Sequence, residues 1–221
     1  MSAGTSMNDR VADAPTLNTY HHGNLRQALL DAAVSAIRES GPENLSLRAL
    51  ARSVGVSQTA PYRHFADKND LLVELAQQTF NEITRVTESA INPADNCHQR
   101  MLSAGDAFLR YAAANPEKYK LVFGNSIEHP ENYPHLVETG QRCFAVMLTL
   151  IDDGIQAGEF IQADAMLLAN VCWSGIHGFS SLWIDGLFAR RELPADFDTM
   201  LSSQIRATVR AISATPDAIK I

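Results

Sequence analysis

The side chains best suited to bind another molecule lie together in one short stretch of the chain. Gln58, Thr59, Arg63 and His64 follow Ser57 in a segment that also carries apolar residues at regular spacing. Glutamine can bond an adenine edge through two atoms, arginine can do the same for guanine, and a threonine methyl can contact a thymine methyl. These residue types predict a surface that reads the base edges of double-stranded DNA.

Three further side chains flank this stretch and suit the phosphate backbone of DNA. Arg48, Tyr62 and Lys68 can donate hydrogen bonds to phosphate oxygens, which position a protein on the duplex without reading its sequence. Helix N-termini predicted at Ser57 and Asp67 would add backbone amides for phosphates. The candidate DNA-binding residues are Arg48, Gln58, Thr59, Tyr62, Arg63, His64 and Lys68.

Two short helices joined by a glycine turn are needed to present these side chains. Ser46 is predicted to cap the first, Gly55 supplies a residue that adopts the left-handed conformation, and Ser57 is predicted to cap the second, Gln58 to Phe65. Pro61 predicts a tight or irregular first turn of that second helix, because proline pushes the residue before it away from helical angles. This spacing is typical of a helix-turn-helix, whose second helix enters the major groove.

Helices on both sides of the motif are predicted to hold it in place. One follows Asn24, which can cap it, and ends at Gly41 and Pro42; a long one is capped by Asp67. In both, apolar residues recur at the spacing of one buried helical face. The motif therefore belongs to a three-helix head that leads into a long helix.

On these residues the sequence resembles the TetR family of bacterial transcriptional regulators, over about residues 20 to 76. The matching stretches are Leu45 to Ala51, Val54 to Ser57, Tyr62 to Phe65, Asp67 and Lys68, and Leu71 and Leu72. The resemblance implies that Tyr62, His64 and Lys68 contact the DNA backbone and that residues such as Gln58 and Thr59 read bases. It also implies a homodimer formed through the last two helices.

The rest of the chain is predicted to be helical, with helices at about residues 97–115, 116–123, 134–157, 164–187 and 196–213, and no convincing strand. The expected fold is all-α: a three-helix head with a helix-turn-helix, joined by a long helix to a larger helical body for ligand binding and dimerisation. The predicted divisions are a disordered arm at 1–19, the DNA-binding domain at 20–66, the body at 67–215 and a tail at 216–221.

Aromatic and methionine side chains are concentrated in the body. Core packing must explain most of them, but such residues also suit an adaptable apolar cavity. The candidate ligand-binding residues are Phe108, Tyr111, Tyr119, Phe123, Met147, Trp173 and His177. His177 could instead be a core histidine bonded to a neighbouring helix, and this role is slightly favoured.

The segment Cys172 to Phe179 is the most distinctive part of the body. Gly175 and Gly178 each cost a helix about 1 kcal/mol relative to alanine, so a close approach or open space is expected beside them. With residues 115–123, this segment resembles the body of a TetR subgroup named for a Trp-His-Gly signature, although three residues separate Trp173 from His177.

Apolar residues at helical spacing in the last two helices fit either a dimer interface or core packing: Leu182, Leu187, Leu201, Ile205, Val209 and Ile212. A homodimer would place its two reading helices about 34 to 36 Å apart on successive major grooves. The expected partners are a double-stranded, pseudo-palindromic operator and a small, largely apolar effector that releases a repressor from it.

Charge is distributed unevenly along the chain. The formal net charge is -7; residues 20–76 carry six basic and six acidic residues, whereas residues 77–221 carry eleven basic and seventeen acidic ones. The head is therefore neutral and the body acidic, which suggests two functional parts.

Several functional classes are disfavoured by the sequence. No apolar run approaches the roughly 20 residues of a membrane span and no secretory signal is recognised, so a cytoplasmic protein is expected. The three cysteines lack the spacing of a zinc site, and the loop residues Glu128, His129, Glu131 and His135 are more simply solvated than metal-binding. No catalytic motif or cofactor is predicted. The alternatives left open are an all-helical enzyme or small-molecule carrier without DNA binding, and a scaffold that has lost it.

Overall fold

The computed structural model describes residues 25–190 and 196–216, and within them the chain is all-α, as predicted. Its helices are α1 Leu25–Ser40, α2 Leu47–Val54, α3 Lys68–Ala90, α4 Cys97–Ala114, α5 Pro116–Phe123, α6 Pro134–Gln156, α7 Ala165–Ile184 and α8 Phe197–Ile212. Short 3₁₀ turns occupy Pro42–Asn44, Ala60–Arg63 and Pro130–Asn132. The predicted arm, the Asn24 cap and the tail after residue 216 lie outside the described residues.

Local sequence explains where most helices begin. The Asp67 carboxylate accepts a hydrogen bond from the Asp70 amide at 2.8 Å, and Asn96 forms a reciprocal capping box with Gln99 before α4. Gly55 ends α2 with φ of 80°, the left-handed conformation expected of it. Ser46 occupies the position before α2 but makes no side-chain capping bond, which corrects the predicted role of its hydroxyl.

The second helix of the motif differs most from expectation. Instead of a helix from Gln58 to Phe65, the chain forms a 3₁₀ turn over Ala60–Arg63. Ser57 does not cap it through its hydroxyl, which lies 3.3 Å from the Thr59 hydroxyl. The physical reason is Pro61, which has no amide hydrogen and restrains the residue before it. We call residues 57–65 the recognition turn.

A first hydrophobic core lies under the head. It joins Leu29, Leu50, Phe65 and Leu72 from α1, α2, the recognition turn and α3. Leu121 of α5 and Leu136 of α6 belong to the same core. The head therefore packs directly on two elements of the body.

A second core holds α4, α6, α7 and α8 around the second half of α3. Helix α8 buries four residues in this core: Leu201, Ile205, Val209 and Ile212. Of the two roles that their spacing predicted, dimer interface or core packing, the structure therefore assigns them to the core. Helix α7 ends at Ile184, and Leu187 lies in the turn that follows. No helix in the described ranges has the length and hydropathy needed to cross a membrane.

Candidate nucleic-acid interface and ligand cavity

The recognition turn is held against the rest of the head by two buried residues, Pro61 and Phe65. The Arg26 guanidinium of α1 stacks 5.3 Å from the centre of the Phe65 ring and pairs with Glu74 of α3 at 2.5 Å. Contacts with α1 and α3 thus hold a turn that is too short to be stable alone.

Anchored in this way, the turn presents its polar side chains to solvent. Gln58, Thr59, Tyr62, Arg63 and His64 are all exposed, which places these five predicted DNA-binding residues on one continuous segment. The side chain of Tyr62 is 48% exposed although it is largely apolar, so its ring is available to a partner.

The two remaining candidates flank the turn on neighbouring helices. Arg48 is exposed in the first turn of α2. Lys68 is half-buried at the start of α3, and its ammonium group donates to the Glu43 carbonyl at 3.3 Å. An ammonium group has three donors, so Lys68 can keep this bond and still donate to a phosphate.

A cavity of about 360 Å³ lies between α3, α4, α6 and α7. This volume falls within the usual range for small-molecule sites, about 300 to 1,000 Å³. Four candidate ligand-binding residues line it: Phe108, Phe123, Met147 and Trp173. The remaining wall is also mainly apolar, so the space suits a hydrophobic group.

Three candidates lie away from the lining of this cavity. The Tyr111 hydroxyl donates to Glu82 at 2.6 Å, and Lys118 contacts the same carboxylate at 2.7 Å. Tyr119 and His177 form a hydrogen bond of 2.6 Å between the phenol oxygen and Nδ1, beside a shallower pocket that shares Phe123 with the cavity. The cavity and this pocket are therefore separate neighbours.

Burial shifts the pKa values of this second group in opposite directions. Desolvation raises the pKa of Tyr119 to about 12 and lowers the pKa of His177, which favours the neutral form of both. The neutral imidazole bonded to α5 fits the core role that was favoured for His177.

Several residues that line the cavity were not among the ligand-binding candidates predicted from the sequence: Phe80, Ile83, Thr87, Gly140, Cys143 and Leu150. Those of α3 lie on its apolar face, but helical spacing alone does not distinguish a cavity wall from solid core. Burial raises the pKa of Cys143 to about 11 and of Cys172 to about 12, so both thiols are protonated and unreactive.

The loop histidines form only pairwise contacts. His129 lies 3.1 Å from Glu131 and His135 lies 3.7 Å from Glu138, and all four side chains are exposed. Among the described residues, no three His, Cys, Asp or Glu side chains are grouped as metal ligands.

Helix α7 leaves apolar side chains uncovered in the single chain. Leu167 is 65% exposed and Val171 55%, and Met166 and Leu182 are also exposed. Gly178 belongs to the same helix, and no atom lies within 4 Å of the position its Cβ would occupy. Gly175 differs, because a Cβ there would meet Gln204 and Thr208 of α8 at 3.1 and 3.4 Å.

Comparison with known proteins agrees with this arrangement. Residues 29–75 match the family model for bacterial regulatory proteins of the tetR family, and residues 101–208 match the model for the tetracyclin repressor-like C-terminal domain. An uncharacterised HTH-type transcriptional regulator of Mycobacterium tuberculosis is 29% identical over 190 residues, which cover 82% of this chain and 77% of that protein.

Two further relatives extend the comparison. The HTH-type transcriptional activator FasR of Mycolicibacterium smegmatis is 24% identical over 135 residues, 60% of this chain and 62% of FasR. A solved structure of a protein of unknown function from Rhodococcus sp. RHA1 is 31% identical with a TM-score of 0.76, covering 88% of this chain and 98% of that one. The chain belongs to the TetR family and is a non-enzymatic, helix-turn-helix DNA-binding transcriptional regulator.

Proposed function

We propose that the unliganded dimer binds a pseudo-palindromic operator and blocks transcription, and that a small effector in the cavity favours a second conformation that releases the DNA. One observation carries this proposal: α3 begins beside the recognition turn at Lys68 and lines the cavity with Phe80, Ile83 and Thr87. A ligand with different affinity for two positions of α3 would shift the equilibrium between them.

Helix α5 offers a second route of coupling. Phe123 lines the cavity, whereas Leu121, on the same helix, is buried in the core of the head. Glu117, also on α5, pairs with Arg38 of α1 at 2.6 Å. A ligand that moves Phe123 would therefore act on α1 as well as on α3.

The exposed face of α7 supports dimerisation through the last two helices. Leu182 was expected in this interface from the sequence, whereas Leu167 and Val171 were not. Leu167, Val171 and Leu182 would be covered by a second copy, because uncovered apolar side chains at helical spacing suit an interface. Gly178 lies in the middle of α7, and no described residue lies within 4 Å of the position of an added Cβ, which would allow the partner's backbone to approach closely.

We also assign the body to the Trp-His-Gly subgroup and the protein to the cytoplasm, as finer parts of the proposal. The tryptophan and histidine of the signature, Trp173 and His177, stack on each other with ring centres 5.2 Å apart. The family model that matches residues 101–208 describes tetracyclin repressor-like C-terminal domains in general. The subgroup assignment therefore rests on the signature residues alone.

Selection of bound sequences from a random DNA pool tests the proposed operator. A two-fold symmetric motif is expected, with half-sites about one helical turn apart. The variant Arg48→Ala/Lys68→Ala should lose operator affinity and show a weaker dependence on salt, because it removes two phosphate contacts per subunit. Recovery of an asymmetric motif, or unchanged binding by the variant, would count against the proposed interface.

The direction of regulation needs its own measurement, since the relative FasR is named an activator. A reporter gene carrying the selected operator should be silenced by the protein and restored by an effector. Higher expression in the presence of the unliganded protein would instead establish activation.

A further inference from the structure

An open, polar cleft adjoins the apolar cavity between the second half of α3 and the middle of α6. Val146 and Leu150, one turn apart on α6, line both spaces and form their common wall. Most other residues of the cleft are polar: Asn81, Thr84, Arg85, Glu88, Arg100, Arg142, Thr149 and Asp153. A molecule that extends across this wall would have one end in the apolar cavity and the other in the charged cleft.

The cleft has an excess of positive charge within an acidic body. Its three arginines face two carboxylates, and Arg100 is already paired with Asp153 at 3.1 Å. Arg142 donates to the Thr139 hydroxyl at 3.2 Å, and Arg85 has no hydrogen bond or ion pair with another described residue. Within the described part of the chain, the guanidinium groups of Arg85 and Arg142 therefore have no carboxylate at ion-pair distance, and Glu88 is the remaining acid of the cleft.

Arg100 adds an observation of a different kind. Its Nε is buried and has no hydrogen-bond acceptor, although the other two nitrogens bond Asp153 and Cys97. A buried donor is normally paired, so an unpaired one on a residue that lines a cleft with an excess of one positive charge suits the oxygen of a bound anion.

The pocket beside Tyr119 is less suited to an anion. Its lysine, Lys120, is already neutralised by Asp185 at 2.7 Å. Its histidine, His177, has a pKa lowered by burial and is neutral. The uncompensated positive charge next to the cavity is thus in the arginine cleft.

We infer that the effector is an amphipathic anion, with an apolar chain in the cavity and an oxyanion head, carboxylate or phosphate, bound by Arg85 and Arg142. Guanidinium groups recognise both kinds of head through paired hydrogen bonds. Arg100, which lines the same cleft, carries a further donor, Nε, that has no acceptor among the described residues. This inference rests on the proposed effector response and adds the chemical class of the effector.

Binding of three matched probes to the full-length protein tests the inference. Isothermal titration with myristate, tetradecyl phosphate and 1-tetradecanol, each kept below its micelle concentration or solubility limit, separates the contribution of the head from that of the chain. At least one of the two anions should bind about tenfold more tightly than the alcohol, as expected for charge-assisted hydrogen bonds. Preference for one anion identifies the head as carboxylate or phosphate.

Variants locate the two ends of the probe. Arg85→Gln/Arg142→Gln should weaken the preferred anion about tenfold and leave the alcohol within about twofold. The control Arg52→Gln/Arg190→Gln removes the same charge from exposed sites outside the cleft and should change neither affinity.

The position of the chain is tested by Ala104→Leu, which narrows the cavity. Because the apolar chain is proposed to lie there, this variant should bind all three probes more weakly. Circular dichroism melting of each variant verifies folding.

Three results would overturn the inference: equal affinity for the alcohol and both anions, an anion preference that survives Arg85→Gln/Arg142→Gln, or no binding of any probe. Operator affinity measured in parallel keeps the two proposals apart. An anion bound through these arginines without any change in operator affinity would contradict the effector response and leave only the assignment of the anion-binding site standing. Release of DNA by 1-tetradecanol but by neither anion would do the reverse.

Discussion

His177 is held by two aromatic rings and one short hydrogen bond. Its ring stacks on Trp173 and Tyr119, with centres 5.2 and 5.7 Å apart, and Nδ1 lies 2.6 Å from the Tyr119 hydroxyl oxygen. Burial lowers the pKa of the imidazole below its usual 6.5. The bond joins α7 to α5, and the His177 ring also contacts Phe123, which lines the cavity.

Stability should therefore depend on pH through His177. Above about pH 6.5 this histidine is neutral in both the folded and the unfolded state. Below that pH the unfolded chain binds a proton more readily than the folded protein, because the folded pKa is lower. The free energy of unfolding therefore falls as the pH falls. We expect a smaller loss of melting temperature between about pH 7.5 and 5.5 in His177→Gln than in the unmodified protein. His135→Gln, at an exposed histidine, is the control, and equal pH dependence in both variants would contradict the assignment.

Gly55 is required by its backbone conformation rather than by crowding. Its φ is 80°, and no atom lies within 4 Å of the position of an added Cβ. Gly55→Ala should lower the free energy of unfolding by about 1 to 2 kcal/mol, the usual cost of a left-handed residue with a side chain. Urea denaturation measures the loss. Gly55→Asn should lose less, since asparagine tolerates this conformation; equal losses would point to another cause.

At the scale of elements, the contact between α1 and α5 rests on an unequal ion pair. Glu117 is almost completely buried, Arg38 is exposed, and the second carboxylate oxygen of Glu117 has no hydrogen-bond partner. The Glu117 carboxylate thus depends on Arg38 to compensate its charge. Removing the arginine should be worse than removing both charges, because it leaves a buried carboxylate unpaired.

A double-mutant cycle tests this dependence. We expect Arg38→Ala to lower the melting temperature more than Arg38→Ala/Glu117→Gln does, and thermal unfolding of the four proteins measures the difference. Additive effects of the two single changes would show that the pair contributes nothing to the joint between head and body. If α5 transmits the effector signal, Arg38→Ala should also change the effector concentration that releases the operator.

At the scale of the whole molecule, two heads must be joined to read two half-sites. The exposed face of α7 is the apolar surface proposed for this contact, and Val171 lies in it with 55% of its surface exposed. A lysine there would place a charge in a desolvated interface, which is strongly unfavourable.

Val171→Lys should consequently produce a monomer with at least about tenfold weaker operator binding, because a half-site contact alone gains little affinity. Light scattering after gel filtration and a gel-shift titration measure the two effects. Val137→Lys changes another exposed valine, on α6 and 40% exposed, and should leave both unchanged. A dimeric Val171→Lys protein would exclude this face as the interface.

Local sequence signals predicted the α-helices of the described residues, the glycine turn and the exposure of the polar side chains on the recognition turn. Caps such as Asp67, the left-handed Gly55 and apolar spacing act over a few residues, so they can be read without knowing the fold. The irregular first turn at Pro61 was also predicted, because proline acts on its neighbours. That the whole segment Ala60–Arg63 forms a 3₁₀ turn was not predicted.

Which apolar faces are covered, and by which helices, could not be predicted from local sequence. Ile205 of α8 and Val171 of α7 have similar spacing signals, yet the first is buried by α4 and the second is exposed. Phe123 and Tyr119 lie one turn apart on α5, but only Phe123 lines the cavity. The reason is physical: helical periodicity specifies a face, whereas a cavity, an interface or a cleft arises from the helices that pack against that face.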